Sequence, residues 1–350
     1  MKICIDCRLL SKKPTGISSL TLDLIDYYCL RYGNDNVIGI VNNDFDCNYD
    51  IFFIRTDLKP FNLLHFLFFR KFIISLNVDL LHTPFYSGLF FKIKNLIVIT
   101  TLPDLMYRFI PGFFGNNWLK NILARIYFDL IVRLTLKSSD LIISISATTA
   151  SDLLTWLNLK SIVIYPVVSV NSPNVDNFTL DKFFNKFNII ENGYFLYVGN
   201  NRPHKNLDYL INEFKSSNSS YKLIIAGNHI FNDIDSRIVG IGPVTDIELS
   251  LLYKNMHCLI FPSKYEGFGL PLIESSLMCK RVIASDIPVF REIKNPLITL
   301  VDVRFIGSLT MAINSISTLD SSPIFVDIGF DFSIFRFQNE LDGVLSSFVS

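Results

Sequence analysis

Short apolar runs alternate with longer amphipathic segments along this chain, the alternation stops once, and then it begins again. "KICID" (2–6), "NVIGIV" (36–41), "DLLHT" (79–83), "NLIVIT" (95–100), "DLIISIS" (140–146) and "SIVIYP" (161–166) read as strands, with helical patterns at 16–30 and 116–137. Strands separated by helices predict a parallel, doubly wound sheet. The pause is "PVVSVNSPNVDNFTLDK" (166–182), rich in Ser, Asn and Pro, which predicts a linker. The pattern resumes with "YFLYVG" (194–199), "YKLIIAG" (221–227), "RIVGIG" (237–242), "HCLIFP" (257–262) and "RVIAS" (281–285), and helices fit at 206–216, 246–255 and 270–279. The expected class is therefore α/β, with two Rossmann-like doubly wound domains in series. Residues 1–167 form the first, 168–185 the linker and 186–329 the second. Residues 330–350 read as a terminal amphipathic helix. A chain of 350 residues also exceeds what one core usually serves.

Composition narrows the function classes. Half of the residues are hydrophobic and 18% are charged, which excludes disorder. A net charge of +0 argues against a nucleic-acid binder. The halves differ: residues 1–168 hold 17 Lys+Arg against 13 Asp+Glu (+4), and residues 169–350 hold 15 against 19 (−4). The basic half is rich in Phe, as in "FNLLHFLFFRKF" (61–72) and "YRFIPGFFGNNWLKNILARIYF" (107–128). Two readings stand for these segments: peripheral contact with an anionic membrane surface, or core-facing helices with snorkelling Lys and Arg. His65, Arg70 and Lys71 interrupt the best apolar stretch before it reaches the ~20 residues of a membrane span. Asp6 comes too early for a signal peptide, so a cytoplasmic location with reduced cysteines is expected. Cys4 and Cys7 form a C-x-x-C inside a strand pattern, not at a helix start, and no redox role is assigned to them. The five histidines have no metal-ligand spacing. Two Asp-x-Asp pairs, Asp44/Asp46 and Asp233/Asp235, lie in polar loops and are not read as metal sites. No cofactor and no metal is expected.

Chemistry concentrates at two strand ends in the second half. "YFLYVG" leads into "NNRPHKNL", where Gly199 turns the chain and Arg202, His204 and Lys205 crowd a helix start. Free N–H groups and the helix dipole favour anions there, so added cations predict a phosphate site. "HCLIFP" leads into "SKYEGFGLP", with Pro271 in the first helical turn. Gly267 and Gly269 let backbone N–H groups approach a ligand, and Glu266 and Glu274 offer charged acceptors to sugar hydroxyls. Phosphate on one side and hydroxyls on the other describe a nucleoside-diphosphate sugar. The chain has no G-x-G-x-x-G and no P-loop.

These motifs resemble glycosyltransferase family 4, a retaining family with the GT-B fold. "EGFGLPLIE" matches its glutamate, seven residues, glutamate motif, and "YVGNNRPHKNLDYLINEF" (197–214) resembles its strand–turn–helix with the donor lysine. "GPVTDIELSLLYKNMHCLIFPSKYEGFGLP" (242–271) and "ASDIPVFREI" (284–293) are similar to its pattern around them. "IDCRLLSKKPTGISSL" (5–20), "TLPDLMYRFIP" (101–111) and "SDLIISISATTASDLL" (139–154) match more loosely. The similarity is nearest to bacterial enzymes of surface-polysaccharide synthesis, many using GDP-mannose.

The resemblance implies two domains facing a central cleft, and it implies roles. Lys205 would contact the donor diphosphate, Glu266 the transferred sugar, and Glu274 the ribose or phosphates. Gly199, Asn200, Arg202 and the backbone of Gly267, Phe268, Gly269 and Leu270 would line the donor site. Gly16 would face the diphosphate from the first domain, Asp104 would stand on the acceptor side, and the terminal helix would return to the first domain. Lys205, Glu266 and Asp104 are the catalytic candidates. The family often has His-Asp where this chain has Pro103-Asp104, and a glycine and a proline where it has Cys279 and Arg281. The implied activity is metal-independent hexosyl transfer, mannose favoured, from a nucleotide sugar to a glycan or lipid-linked oligosaccharide. The alternative is a catalytically inactive member serving as a binding or assembly subunit of a polysaccharide-synthesis complex.

Overall fold

The computed structural model describes residues 1–11, 15–43, 45, 49–115, 117–170, 177–227, 235–320 and 329–349. The chain divides into two units: Met1–Val167 with Phe332–Ser350, and Val168–Asp331. In the first, the order is β1 (Ile3–Asp6), α1 (Gly16–Tyr32), β2 (Val37–Asn42), β3 (Phe52–Thr56), α2 (Leu63–Leu76), β4 (Leu80–Thr83), β5 (Ile97–Leu102), α3 (Met106–Phe109), α4 (Trp118–Ser138), β6 (Leu141–Ser144), α5 (Ala147–Leu157) and β7 (Ile162–Val163). The second holds α6 (Asn177–Phe187), β8 (Tyr194–Val198), α7 (Leu207–Lys215), β9 (Lys222–Ala226), β10 (Ile238–Gly242), α8 (Asp246–Asn255), β11 (Cys258–Phe261), α9 (Leu270–Leu277), β12 (Arg281–Ser285), α10 (Pro288–Arg291), β13 (Ile298–Val301) and α11 (Ser308–Ser317). The last helix, α12 (Ile334–Val349), belongs to the first unit.

The sheets run β3-β2-β1-β4-β5-β6-β7 and β10-β9-β8-β11-β12-β13, and the strand pairs are parallel. Central strands such as "ICID" and "CLIF" are buried at every position, as a sheet covered on both faces requires. Each sheet reverses direction once, at β1/β4 and at β8/β11, and open α/β sheets bind ligands beyond the strand ends at such a reversal. Side-chain caps set where several helices start: Thr15, Asn62, Asn117 and Ser146 each accept a backbone N–H, and Thr245 forms a capping box with Glu248.

Helix α12 packs a stripe of Phe337, Leu341 and Leu345, spaced four apart, into the core of the first unit with Leu24, Tyr28 and Ile3. Polar contacts fix its register. Tyr27 donates to Asp342 at 2.8 Å, and Arg336 donates to the Tyr165 carbonyl at 2.6 Å.

Several expectations change. The linker expected at 168–185 is helical from Asn177 as α6, where Phe183 and Phe187, one turn apart, are buried. Its Asn- and Asp-rich surroundings masked that spacing. The strand expected at 161–166 shortens to β7. Strands β3 and β13 were not anticipated. Both are edge strands, exposed in part, so their apolar pattern is diluted. Cys4 and Cys7 are both buried, Cys4 within β1. The pairs Asp44/Asp46 and Asp233/Asp235 lie outside the described residues except for Asp235, which is paired with Arg237 at 2.7 Å.

Candidate active site

The loops after β8 and β11 meet at the carboxyl edge of the second sheet because those strands are neighbours, Leu196 opposite Leu259. After β8 the chain must turn beside β9. Gly199 donates its N–H to the Ala226 carbonyl at 3.0 Å, and Gly227 donates to the Gly242 carbonyl at 2.9 Å. The carboxyl ends of β8, β9 and β10 are thus closed by Gly199, Gly227 and Gly242. At Gly227 (φ 157°) an added Cβ would stand 1.8 Å from the Gly199 carbonyl oxygen. Asn200 holds the next turn: its carbonyl accepts from Tyr197 Oη at 2.9 Å and its side-chain oxygen from the Arg202 N–H at 3.1 Å. Arg202 itself is exposed.

Pro203–Lys205 make one tight turn ahead of α7, and Asn206 is left-handed there (φ 58°, ψ 34°). This turn is tied to the second loop by the Lys264 N–H, which donates to the His204 carbonyl at 2.7 Å. His204 is buried, and the cost of burying its charge lowers its pKa to about 4. It is neutral at pH 7. The expected group of three cations is corrected to two, Arg202 and Lys205.

Lys205 Nζ lies 2.8 Å from Glu266 Oε1, with side-chain exposures of 15% and 10%. The ammonium also sits 4.9 Å from the centre of the Phe261 ring, at the end of β11. The residues that the family resemblance assigns to the donor diphosphate and to the transferred sugar are therefore ion-paired with each other, across 61 residues of chain.

The second loop is buried from Glu266 through Gly269. Gly269 precedes α9 with φ 110° and ψ 54°, a left-handed region that favours glycine, and an added Cβ would meet Phe290 at 2.6 Å. Pro271 brings no N–H to the first turn of α9, and those of Leu272 and Ile273 reach back to the Gly269 carbonyl. At the other end of α9, Cys279 takes the left-handed conformation (φ 57°) at the position where the family resemblance calls for glycine. Gly16, the first residue of α1, and Asp104 belong to the first unit. Asp104 Oδ1 accepts the Met106 N–H at 2.8 Å, within the turn that starts α3.

Glu274 is half-buried on α9 and accepts from Tyr253 Oη at 2.7 Å. Burial raises its pKa above the ordinary carboxylate range, and the Tyr253 hydrogen bond offsets part of that. A folded-state pKa above the unfolded one means the native state binds more protons between the two values. Stability therefore falls as pH rises from the ordinary carboxylate range, and above the raised pKa the full cost of the buried charge persists. Glu274→Gln is expected to raise the melting temperature at pH 7, with the gain shrinking towards pH ~4, and to weaken nucleotide binding. Thermal unfolding over that range checks it, and a lower melting temperature at pH 7 would refute it. Tyr253, Gly227 and the Lys264 N–H were not anticipated. Glycine at the ends of three successive strand patterns was the available sign for Gly227.

Among the described residues, no group of three or more His, Cys, Asp or Glu is placed to hold a metal ion. The site offers an ammonium beside a carboxylate, a second half-buried carboxylate, and a glycine-bounded backbone. That set can pair with phosphate and accept from hydroxyls.

Residues 181–322 match the family described as glycosyl transferases group 1. The chain is 29% identical over 184 residues to the O-antigen chain mannosyltransferase RfbU of Salmonella typhimurium, covering 49% of this chain and 50% of that protein. It is 24% identical over 213 residues to O-antigen chain mannosyltransferase B of Escherichia coli, covering 56% and 54%. The chain thus spans about half the length of the curated relatives it matches. Among solved structures, Anabaena Alr3699/HepE in complex with UDP and glucose superposes with a TM-score of 0.73 at 17% identity, over 99% of this chain and 100% of that one. WaaG, a glycosyltransferase involved in lipopolysaccharide biosynthesis, superposes at 0.68 and 14% identity, over 97% and 95%. At those identities the likeness establishes the fold. The chain therefore has the GT-B fold, with a stretch similar to glycosyl transferases group 1 over residues 181–322.

Proposed function

We propose that this chain is a retaining glycosyltransferase of family 4. It moves a hexose, mannose in the favoured reading, from a nucleotide-diphosphate sugar, GDP-mannose in the same reading, to a growing lipid-linked glycan of the bacterial surface: O-antigen, capsule or exopolysaccharide. The work is done at the cytoplasmic face of the membrane. The observation that carries this reading is the placement of Lys205 and Glu266 on loops at the sheet reversal β8/β11, inside the segment that matches the group 1 family. The relatives' names, as O-antigen mannosyltransferases, supply the sugar and the glycan class.

In this mechanism the bond from the anomeric carbon to the β-phosphate oxygen breaks through an oxocarbenium-like state. The bonding pair leaves with the diphosphate, and Lys205 stabilises that growing charge. The acceptor hydroxyl oxygen bonds the anomeric carbon from the same face, and its proton passes to the departing phosphate oxygen. Glu266 holds hydroxyls of the sugar and offsets positive charge at the anomeric carbon. Glu274 holds the nucleotide end. Gly16 and Asp104 serve from the first unit, Asp104 on the acceptor side.

Titration with GDP-mannose, UDP-glucose and TDP-glucose tests the donor. GDP-mannose is expected to bind tightest and to give a product of unchanged anomeric configuration by NMR. A protein that binds none of the three would overturn the reading.

A further inference from the structure

The first three turns of α4 stand out from the unit they belong to. Trp118, Leu119, Ile122, Leu123, Ile126 and Leu130 are exposed, Trp118 at 73% and Ile126 at 61%. At about 100° per residue these six fall within an arc of about 140°. Lys120 borders that arc on one side and Arg125 on the other, both exposed, while Arg133 and Lys137 continue it along the helix. Beyond Leu130 the helix turns inward, with Ile131, Val132, Thr135 and Leu136 buried. A neighbouring helix repeats the pattern. On α2, Leu64, Leu67 and Phe68 are exposed together with Arg70 and Lys71. The helices touch through Phe66 and Tyr127, ring centres 5.9 Å apart, and Tyr127 Oη donates to the Phe61 carbonyl at 2.7 Å.

Monomeric proteins rarely leave large apolar side chains contiguous on the surface without a partner. Charge identifies the partner. Helix α2 carries no acidic residue, and the one on α4, Asp129, is held by Arg108 at 2.8 Å and by Tyr107 at 3.0 Å. A second copy would bring identical basic rims together. An anionic lipid surface complements them, accepts Trp118 at the headgroup level and lets Lys120 and Arg125 extend to phosphates. Among the described residues no helix is long and apolar enough to cross a membrane, so the contact is with its surface.

We propose that the exposed face of α4, with α2 beside it, docks the protein in the plane of an anionic bilayer. The purpose rests on the lipid-linked acceptor of the proposed function. The docking is read separately, since vesicle flotation reports this face and nucleotide-sugar titration reports the site around Lys205.

The test is flotation of the full chain with vesicles of phosphatidylethanolamine and phosphatidylglycerol, and with vesicles of phosphatidylcholine alone. The parent protein is expected to float with the anionic vesicles and not with the neutral ones. Leu123→Glu/Ile126→Glu and Lys120→Glu/Arg125→Glu are each expected to lose binding roughly tenfold or more, and binding of the parent should fall with salt. Ile306→Glu, at an apolar residue 93% exposed in the other unit, should float like the parent. The substituted α4 side chains are exposed, so unchanged melting temperatures are expected, and the two pairs test the face independently. A parent protein left wholly in the soluble fraction overturns the proposal. So does flotation that both double variants retain. A parent dimer that the Leu123→Glu/Ile126→Glu variant converts to monomer, with flotation unaltered, assigns the face to a second copy instead.

Discussion

Lys205→Ala is expected to lower the turnover rate of sugar transfer by about 10²–10³-fold, the usual loss when one stabiliser of a developing negative charge is removed. Glu266→Gln should fall by a similar order if it offsets charge at the anomeric carbon. Because Lys205 and Glu266 form a largely buried pair, each single variant also strands its partner. Breaking a fully buried pair costs about 3–5 kcal/mol, and the residual exposure here puts the expected loss of stability nearer 2 kcal/mol. Lys205→Met/Glu266→Gln separates the two effects. Removing both charges should recover most of the stability and none of the rate. Turnover at saturating donor, measured beside urea unfolding for all three variants, makes the comparison. Near-parental turnover in both single variants would sink the assignment, and a double variant no more stable than either single one would show that the pairing contributes little.

The second large effect is expected at a residue that touches no ligand in the proposed mechanism. Gly227→Ala places a methyl group 1.8 Å from the Gly199 carbonyl oxygen, and that obstacle is backbone. The ends of β8 and β9 must separate, which breaks the hydrogen bond from the Gly199 N–H to Ala226 and moves the turn that carries Lys205. Overpacking of this kind costs about 1–3 kcal/mol, and more when backbone must yield. A loss of ~3 kcal/mol in unfolding free energy, with weakened donor binding, is the expected result. Gly343→Ala is the matched control, since its added methyl meets nothing within 4 Å. Equal stability of Gly227→Ala and the parent by urea unfolding would refute the close approach.

Much of the fold was legible because parallel strands buried on both faces leave continuous apolar runs. "FLYV", "LIIA" and "LIF" announced the second sheet directly. Edge strands β3 and β13 carry exposed positions that blur the same signal, and α6 was hidden under the composition of a linker. For the candidate site, residue types at strand ends pointed to Lys205, Glu266 and Glu274. Their partners could not be read, because partnership depends on strand order. Lys205 meets Glu266 only because β8 lies against β11, and Tyr253 reaches Glu274 only because α8 packs on α9. The neutral state of His204 follows from burial, which the polar turn around it concealed.

Helix α12 has a consequence for how the molecule is made. A chain emerging from the ribosome usually completes its first unit first. Here the stripe of Phe337, Leu341 and Leu345 belongs to the core that Ile3, Leu24 and Tyr28 begin, with an entire second unit synthesised in between. The second unit, Val168–Asp331, is one unbroken stretch and has all its strands in hand before α12 appears. The order of completion is therefore inverted. The first unit's sheet waits with part of its apolar surface uncovered until the whole second unit and α12 have been released, and the step that closes it joins residues more than 300 positions apart.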